Sequence, residues 1–107
     1  MKTETHTLRL TETAETDLAE IWSYLAFEAS EAVATRFLSS ITARFNDVLL
    51  FPMSGALRSQ LGPALRAIFQ RNYAIYYVPG DGEVVIVRVL HGSRDMDAIA
   101  DQGGFLL

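Results

Sequence analysis

The 107-residue sequence has no cysteine. Disulfides and thiol catalysis are therefore excluded, and the cytosol is the simplest compartment to expect. Lysine is nearly absent: Lys2 stands alone, and the other eight basic residues are arginines. Acidic residues outnumber basic ones and give a formal net charge of −4. Such a chain does not advertise non-specific nucleic-acid binding, although a local basic patch stays possible. No apolar run approaches the roughly 20 residues that span a bilayer. The N-terminus, MKTETHTLRLTETAETD, lacks the apolar segment of a signal peptide. The two histidines, His6 and His91, lie far apart and have no H-x₃₋₅-H or C-x-x-C companion, so no metal site is expected. Glycine-rich nucleotide loops and the Gly-x-Ser-x-Gly elbow are also missing, so no cofactor is expected.

Half of the residues are apolar and 21% are charged, ordinary proportions for one soluble globular domain spanning 1–107. The densest apolar stretch runs from Arg71 to Asp95 and reads as a β-hairpin. Tyr73–Val78 and Glu83–His91 are rich in β-branched and aromatic residues, with the turn formers Pro79-Gly80-Asp81-Gly82 between them. Pairing Val78 with Glu83 would sort the side chains into two faces. One face carries Ala74, Tyr76, Val85, Val87 and Val89. The other carries Tyr73, Ile75, Tyr77, Val84, Ile86, Arg88 and Leu90. Neither alternates apolar with polar as a wet face would, so both sides need a cover.

Upstream, Thr5–Leu10 is a short candidate strand. A helix follows over about Glu12–Glu28, capped by Thr11 or Thr13, with an apolar stripe at Ala14, Leu18, Ile21, Trp22, Leu25 and Ala29. Ser30 caps a second helix over about Glu31–Leu50, with its stripe at Ala34, Phe37, Leu38, Ile41, Phe45, Val48 and Leu49; Pro52 ends it. Met53–Pro63 is a loop in which Leu57 starts a short extended piece. Leu65–Gln70 is the next strand, and Arg71-Asn72 is a tight turn in which Asn tolerates the left-handed conformation. Met96–Ala100 is a short helical turn, broken by Gly103-Gly104 before an apolar tail. The order β-α-α-β-β-β predicts an α+β fold, a helical hairpin packed on a small twisted antiparallel sheet.

Arginines concentrate in the second half. Guanidinium forks at Arg66, Arg71, Arg88 and Arg94 suit carboxylate or phosphate recognition. Structural pairing is the alternative, for example Arg88 with Asp17 or Glu20, or Arg94 with Asp95. Tyr73, Tyr76 and Tyr77 fit a core better than a base-stacking platform. His91 fits a strand-end histidine bonded to backbone better than a ligand.

Several stretches together carry a resemblance: Asp17–Ala26 (DLAEIWSYLA), Ala32–Phe37, Pro52-x-x-Gly55-x-x-Arg58, Leu65-Arg66, Asn72-Tyr73-x-Ile75-Tyr76-Tyr77 and Arg88-Val89-Leu90-His91-Gly92-x-Arg94-Asp95. The chain resembles the ParE toxins of the RelE/ParE superfamily, type II toxin–antitoxin proteins, over nearly its whole length. The resemblance implies one of two activities. RelE-like members cut mRNA on the ribosome, whereas ParE-like members are described as non-catalytic inhibitors of DNA gyrase. Laid over the RelE pattern by Tyr73 and Gly92, two strand lysines fall at Leu65 and Ala67, a strand arginine at Ala74 and a C-terminal tyrosine at Ala100. Only Arg94 keeps its type. Phosphodiester cleavage needs proton-transfer groups and cations that Leu and Ala do not supply. The resemblance therefore favours a plasmid-stabilisation type of toxin that is not an enzyme.

The implied partners are gyrase as target and a ParD-like antitoxin, a DNA-binding dimer whose tail folds onto the toxin. One sheet face is expected to lie under the helical hairpin, and the other, or the groove beside it, to await that antitoxin. Leu65, Phe69, Tyr73 and Ile75 are the expected apolar anchors, with Arg66, Arg88, His91 and Arg94 around them. No membrane or sequence-specific nucleic-acid partner is implied. Many toxins of this kind are basic, so the acidity of this chain makes apolar docking the main source of affinity. A ribosome-dependent RNase, or a degenerate toxin that keeps only antitoxin binding, are the alternatives.

Overall fold

The computed structural model describes residues 6–107; Thr5, the expected first residue of the first strand, lies outside them. Strand β1 (Thr7–Leu10) runs into helix α1 (Glu12–Glu28), and α2 (Glu31–Leu50) follows almost at once. Then come β2 (Ala56–Leu57), β3 (Arg66–Gln70), β4 (Tyr73–Gly80), β5 (Glu83–His91) and the short α3 (Met96–Asp101). No helix among the described residues is long and apolar enough to cross a membrane.

Capping sets the helix starts. The Thr11 Oγ1 accepts the Ala14 N–H at 3.0 Å and donates to the Val87 carbonyl at 2.9 Å, so one hydroxyl starts α1 and ties it to β5. The Ser30 Oγ accepts the Val33 N–H at 3.1 Å and starts α2. The two helices pack as a hairpin on one face of the sheet. Ala14, Ile21, Ile41, Phe45 and Val48 meet Ile68, Ile75, Tyr77, Val84, Ile86 and Val89 there. The buried stripe of α1 is Ala14, Asp17 and Ile21. Trp22 lies at its margin, half-buried, and its indole N–H donates to the Thr35 hydroxyl of α2 at 3.2 Å. Ala29, expected on the stripe, is the exposed C-cap.

The sheet order is β1-β5-β4-β3-β2. Four strands pair antiparallel as expected, and β1 joins β5 in parallel, from Thr7 opposite Glu83 to Leu10 opposite Ile86. The sheet is therefore mixed: the hairpin leads into β2 antiparallel to β1, and three further antiparallel reversals bring β5 back parallel to β1.

Three local expectations are corrected. The central hairpin pairs Val78 with Val85 and Gly80 with Glu83, not Val78 with Glu83. The turn is the two-residue Asp81-Gly82, with Gly82 at φ +67°, where a side chain would be strained. Pro79 is tolerated inside β4 because β3 reaches only to Tyr77 and leaves that edge unpaired. Second, Val87 is an extra residue on β5, since Tyr77 pairs with Ile86 and Tyr76 with Arg88. This bulge inverts the alternation beyond it. Val89 turns to the helix side and Leu90 to the other, the reverse of the simple pleat. Third, Arg71, not Asn72, takes the left-handed conformation, at φ +53°. The Asn72 carbonyl accepts the Gly92 N–H at 2.7 Å instead.

The other face of the sheet has its own cover. Leu65, Ala67, Ala74, Tyr76, Val85, Val87 and Leu90 pack under Ile99 of α3 and Phe105 of the tail. The expectation that this face waits bare for a partner is thus overturned: Ala74, Val87 and Leu90 are at most 3% exposed in the single chain. Asp95 caps α3, its carboxylate accepting the Ala98 N–H at 3.1 Å. Gly104 is pressed so close to Ile99 and the Arg88 guanidinium that a Cβ there would collide with Ile99.

Candidate partner-binding site

The most buried ion pair among the described residues lies between the two covers. Beyond Leu10 the edge of β5 has no strand neighbour, and Asp17 of α1 takes its place. One Asp17 oxygen accepts the Val89 N–H at 3.0 Å and the Arg88 Nε–H at 2.7 Å. The other accepts from Arg88 Nη2 at 3.0 Å. Arg88 Nη1 then donates to the Gly104 carbonyl at 3.1 Å. A bidentate, largely buried guanidinium–carboxylate pair thus joins α1, β5 and the tail. Arg88 belongs to this clamp, the structural alternative that the sequence leaves open, and its position past the bulge takes it off the Tyr73–Ile75 face.

The remaining expected contact residues separate into two groups. Leu65 and Ile75 are core, 1% and 0% exposed, and offer a partner no surface. Ile75 is a strand residue and Leu65 immediately precedes β3, and only the position of α3 and the helical hairpin decides that they are covered. Arg66 donates to the Gly55 carbonyl at 2.7 Å and to the Met53 carbonyl at 3.2 Å, holding the loop before β2. In the same loop the Tyr77 hydroxyl donates to the Pro52 carbonyl and accepts the Gly55 N–H, both at 2.8 Å. Phe69 is half exposed on the far face.

Tyr73, His91 and Arg94 do come together. Tyr73 touches Phe37 of α2 at 5.3 Å between ring centroids and His91 edge-on at 5.1 Å. Burial, and then the neighbouring Tyr24, push the Tyr73 phenol above its usual pKa. The His91 Nδ1 accepts the Ser93 N–H at 3.1 Å and lies 2.8 Å from the Ser93 hydroxyl. Arg94 is exposed and, with Glu20 and Tyr24, lines a small hollow of about 150 Å³ beside Tyr73 and His91. Asp95 is occupied as the α3 cap, so Arg94 and Asp95 do not form the local pair that the sequence permits.

Tyr73 is also shared with a mainly apolar hollow of about 220 Å³ whose other walls include Leu25, Val33, Phe37 and Arg71. That hollow continues past Val33 and Phe37 to Arg36, Ser40 and Gln70, where a further space of about 460 Å³ opens. Sequence reasoning missed Arg36 and Phe37 as surface-forming residues. Their i, i+1 placement on α2 is visible in the sequence, but their meeting with Arg71 across the β3–β4 turn is not.

The positions where RelE-type catalytic side chains would stand are equally informative. Leu65, Ala67 and Ala74 are buried in the second core, and Ala100 packs against it. Burial raises the pKa of Tyr76 beneath them, with Arg58 opposing the shift. No side chain at these positions can donate, accept or carry charge.

A helical hairpin on a five-stranded sheet is the architecture of toxins from type II toxin–antitoxin systems. The sequence model described as "ParE toxin of type II toxin-antitoxin system, parDE" matches residues 8–96. The chain belongs to this ParE toxin family. Among solved structures, a chain of the chromosomal ParDE toxin–antitoxin system from P. aeruginosa is similar, with a TM-score of 0.72 and 19% identity, covering 83% of this chain and 98% of that one. A chain of the RelBE2 toxin–antitoxin complex from Mycobacterium tuberculosis aligns with a TM-score of 0.54 and 27% identity over 81% and 98% of the two chains. No curated protein matches the sequence.

Proposed function

We propose that this toxin acts in the cytoplasm by binding DNA gyrase stoichiometrically, without a catalytic step of its own. In this reading it is neutralised by a ParD-like antitoxin and serves a plasmid-stabilisation type of system. The observation that carries the reading is the apolar identity of Leu65, Ala67, Ala74 and Ala100, three of them buried, at the positions where an RNase of this superfamily needs cations and a phenol. Cleavage at a phosphodiester requires a base for the 2′-hydroxyl, an acid for the leaving oxygen and charge to stabilise the intermediate state. Arg94 alone supplies only the last of these.

The test sets the two activities side by side. Purified protein should inhibit supercoiling by gyrase in proportion to its own concentration. It should also leave mRNA intact on programmed ribosomes. Codon-specific cleavage that disappears in Arg94→Ala would replace this reading with the RNase one.

A further inference from the structure

The groove that runs along α2 and past the β3–β4 turn has unusual electrostatics for an acidic chain. Among the described residues, Arg9, Arg44 and Arg88 each have a carboxylate partner, Glu83, Asp47 and Asp17 respectively. Arg36, Arg58, Arg66, Arg71 and Arg94 have none. Arg58 and Arg66 bond to backbone carbonyls, whereas Arg36 and Arg71 are exposed along this groove and Arg94 is exposed in the hollow that adjoins it at Tyr73. Between them lies an apolar floor made of Val33, Phe37, Leu25 and the ring of Tyr73. Val33 is 39% exposed, in the middle of a wall that is otherwise half-buried.

Arg71 adds a second, independent observation. It stands at φ +53° in the two-residue turn between Gln70 and Tyr73, a position where glycine fits without strain. The neighbouring Asn72, the easier residue for that conformation, is held instead by the Gly92 N–H. The turn thus keeps an arginine in a costly backbone state, and the result is a guanidinium on the rim of the groove.

We propose that this groove, floored by Phe37 and Tyr73 and flanked by Arg36 and Arg71, is the docking site for an acidic, apolar-anchored segment of the antitoxin. The proposal rests on the toxin–antitoxin reading above. One large apolar side chain of the segment enters the hollow between Val33, Phe37 and Tyr73. Carboxylates on either side of it meet Arg36 and Arg71 at one end and Arg94 at the other. A peptide suits the site better than a nucleic-acid strand. The chain is net acidic, which disfavours a polyanion, and the half-buried Tyr73 ring already packs against Phe37 and His91. The hollows are open surface and need no rearrangement of either core.

The test uses the full chain and the antitoxin encoded beside it, with affinity measured by calorimetry at two salt concentrations. The double variant Arg36→Glu/Arg71→Glu should bind about 100-fold more weakly or worse, with a flatter salt dependence. Arg44→Glu on the same helix, outside the groove, should bind as the wild type does. Hydrogen exchange on the wild-type complex supplies a measurement that needs no variant: amides of residues 33–40 and 70–73 should gain protection. Unchanged affinity in the double variant, or protection confined to other segments, would overturn the groove assignment and leave the toxin reading standing. If the groove instead bound single-stranded oligonucleotide, with no competition from antitoxin, the peptide assignment would likewise fall. Absence of any complex with the wild-type chain would overturn both.

Discussion

The two faces of this sheet are covered by different physical means. The helix-side face is covered by α1 and α2, helices of 17 and 20 residues that start at good caps and bury a repeating apolar stripe. The far face is covered by the 6-residue α3 and by a single tail residue, Phe105. The first cover lies inside the family match. The second begins at Met96, where the match ends. A long helix is held by many side chains of similar weight, so no single one decides its position. The short cover depends on a few specific anchors: the Asp95 cap, the close approach at Gly104, the Tyr76–Phe105 ring contact at 4.8 Å and the Arg88 bond to the Gly104 carbonyl.

The largest expected effect comes from removing the second cover outright. A chain ending at Asp95 loses Ile99 and Phe105 and bares Leu65, Ala74, Tyr76 and Leu90. An apolar patch of this kind drives association. We expect strong binding of a hydrophobic dye and self-association in sedimentation, with the helical signal of α1 and α2 largely retained. A soluble monomer that excludes dye would show that the far face does not depend on its cover.

Next in size is the clamp that serves both covers. Asp17→Ala leaves the Arg88 guanidinium uncompensated and the Val89 N–H without its acceptor, and breaking a buried pair from one side costs about 3–5 kcal/mol. Urea unfolding should show that loss. Adding Arg88→Met should recover much of it, because no isolated charge then remains. Trp22→Ala, by contrast, removes a ring that is only half-buried at the helix–helix margin. It should cost less than the roughly 3–5 kcal/mol of a fully buried aromatic.

Period and caps made the first cover legible in the sequence. The stripes, Thr11, Ser30 and Pro52 place α1 and α2 with the bounds that the structure has. The two-faced apolar hairpin was legible too, as was the need for something on both sides of it. What covers the far face was not. A six-residue helix shows less than two full turns of pattern, and one phenylalanine after two glycines looks like a tail. The bulge at Val87 was equally hidden, because nothing in a run of valines marks the extra residue, yet it decides which side Arg88, Val89 and Leu90 occupy. For the candidate site, Tyr73, His91 and Arg94 stood among the expected contact residues on two separate motifs, but that they meet was not legible. The meeting of Arg36 and Arg71 was not legible either, since their proximity is made by the packing of α2 against a turn.

The smallest effect compares the two strained turns, one beside each cover. Ala64 has φ +60° and leads into Leu65 under the far-face cover; Arg71 has φ +53° on the groove of the helix side. The Leu65 N–H donates to the Gly62 carbonyl at 3.2 Å across Pro63-Ala64. Pro at the first central position and positive φ at the second is the pattern of a type II turn, which favours glycine where Ala64 stands. Relief of the left-handed strain is partly offset by the extra freedom that glycine gives the unfolded chain. The net gain from Ala64→Gly should therefore be small, roughly 0.5–1 kcal/mol in urea unfolding. Arg71→Gly should gain a similar amount for the same reason. Only Arg71→Gly removes a guanidinium from the groove, so it alone should weaken the antitoxin complex while making the free toxin more stable. Equal affinities for the two glycine variants would mean that Arg71 holds its strained state for no partner.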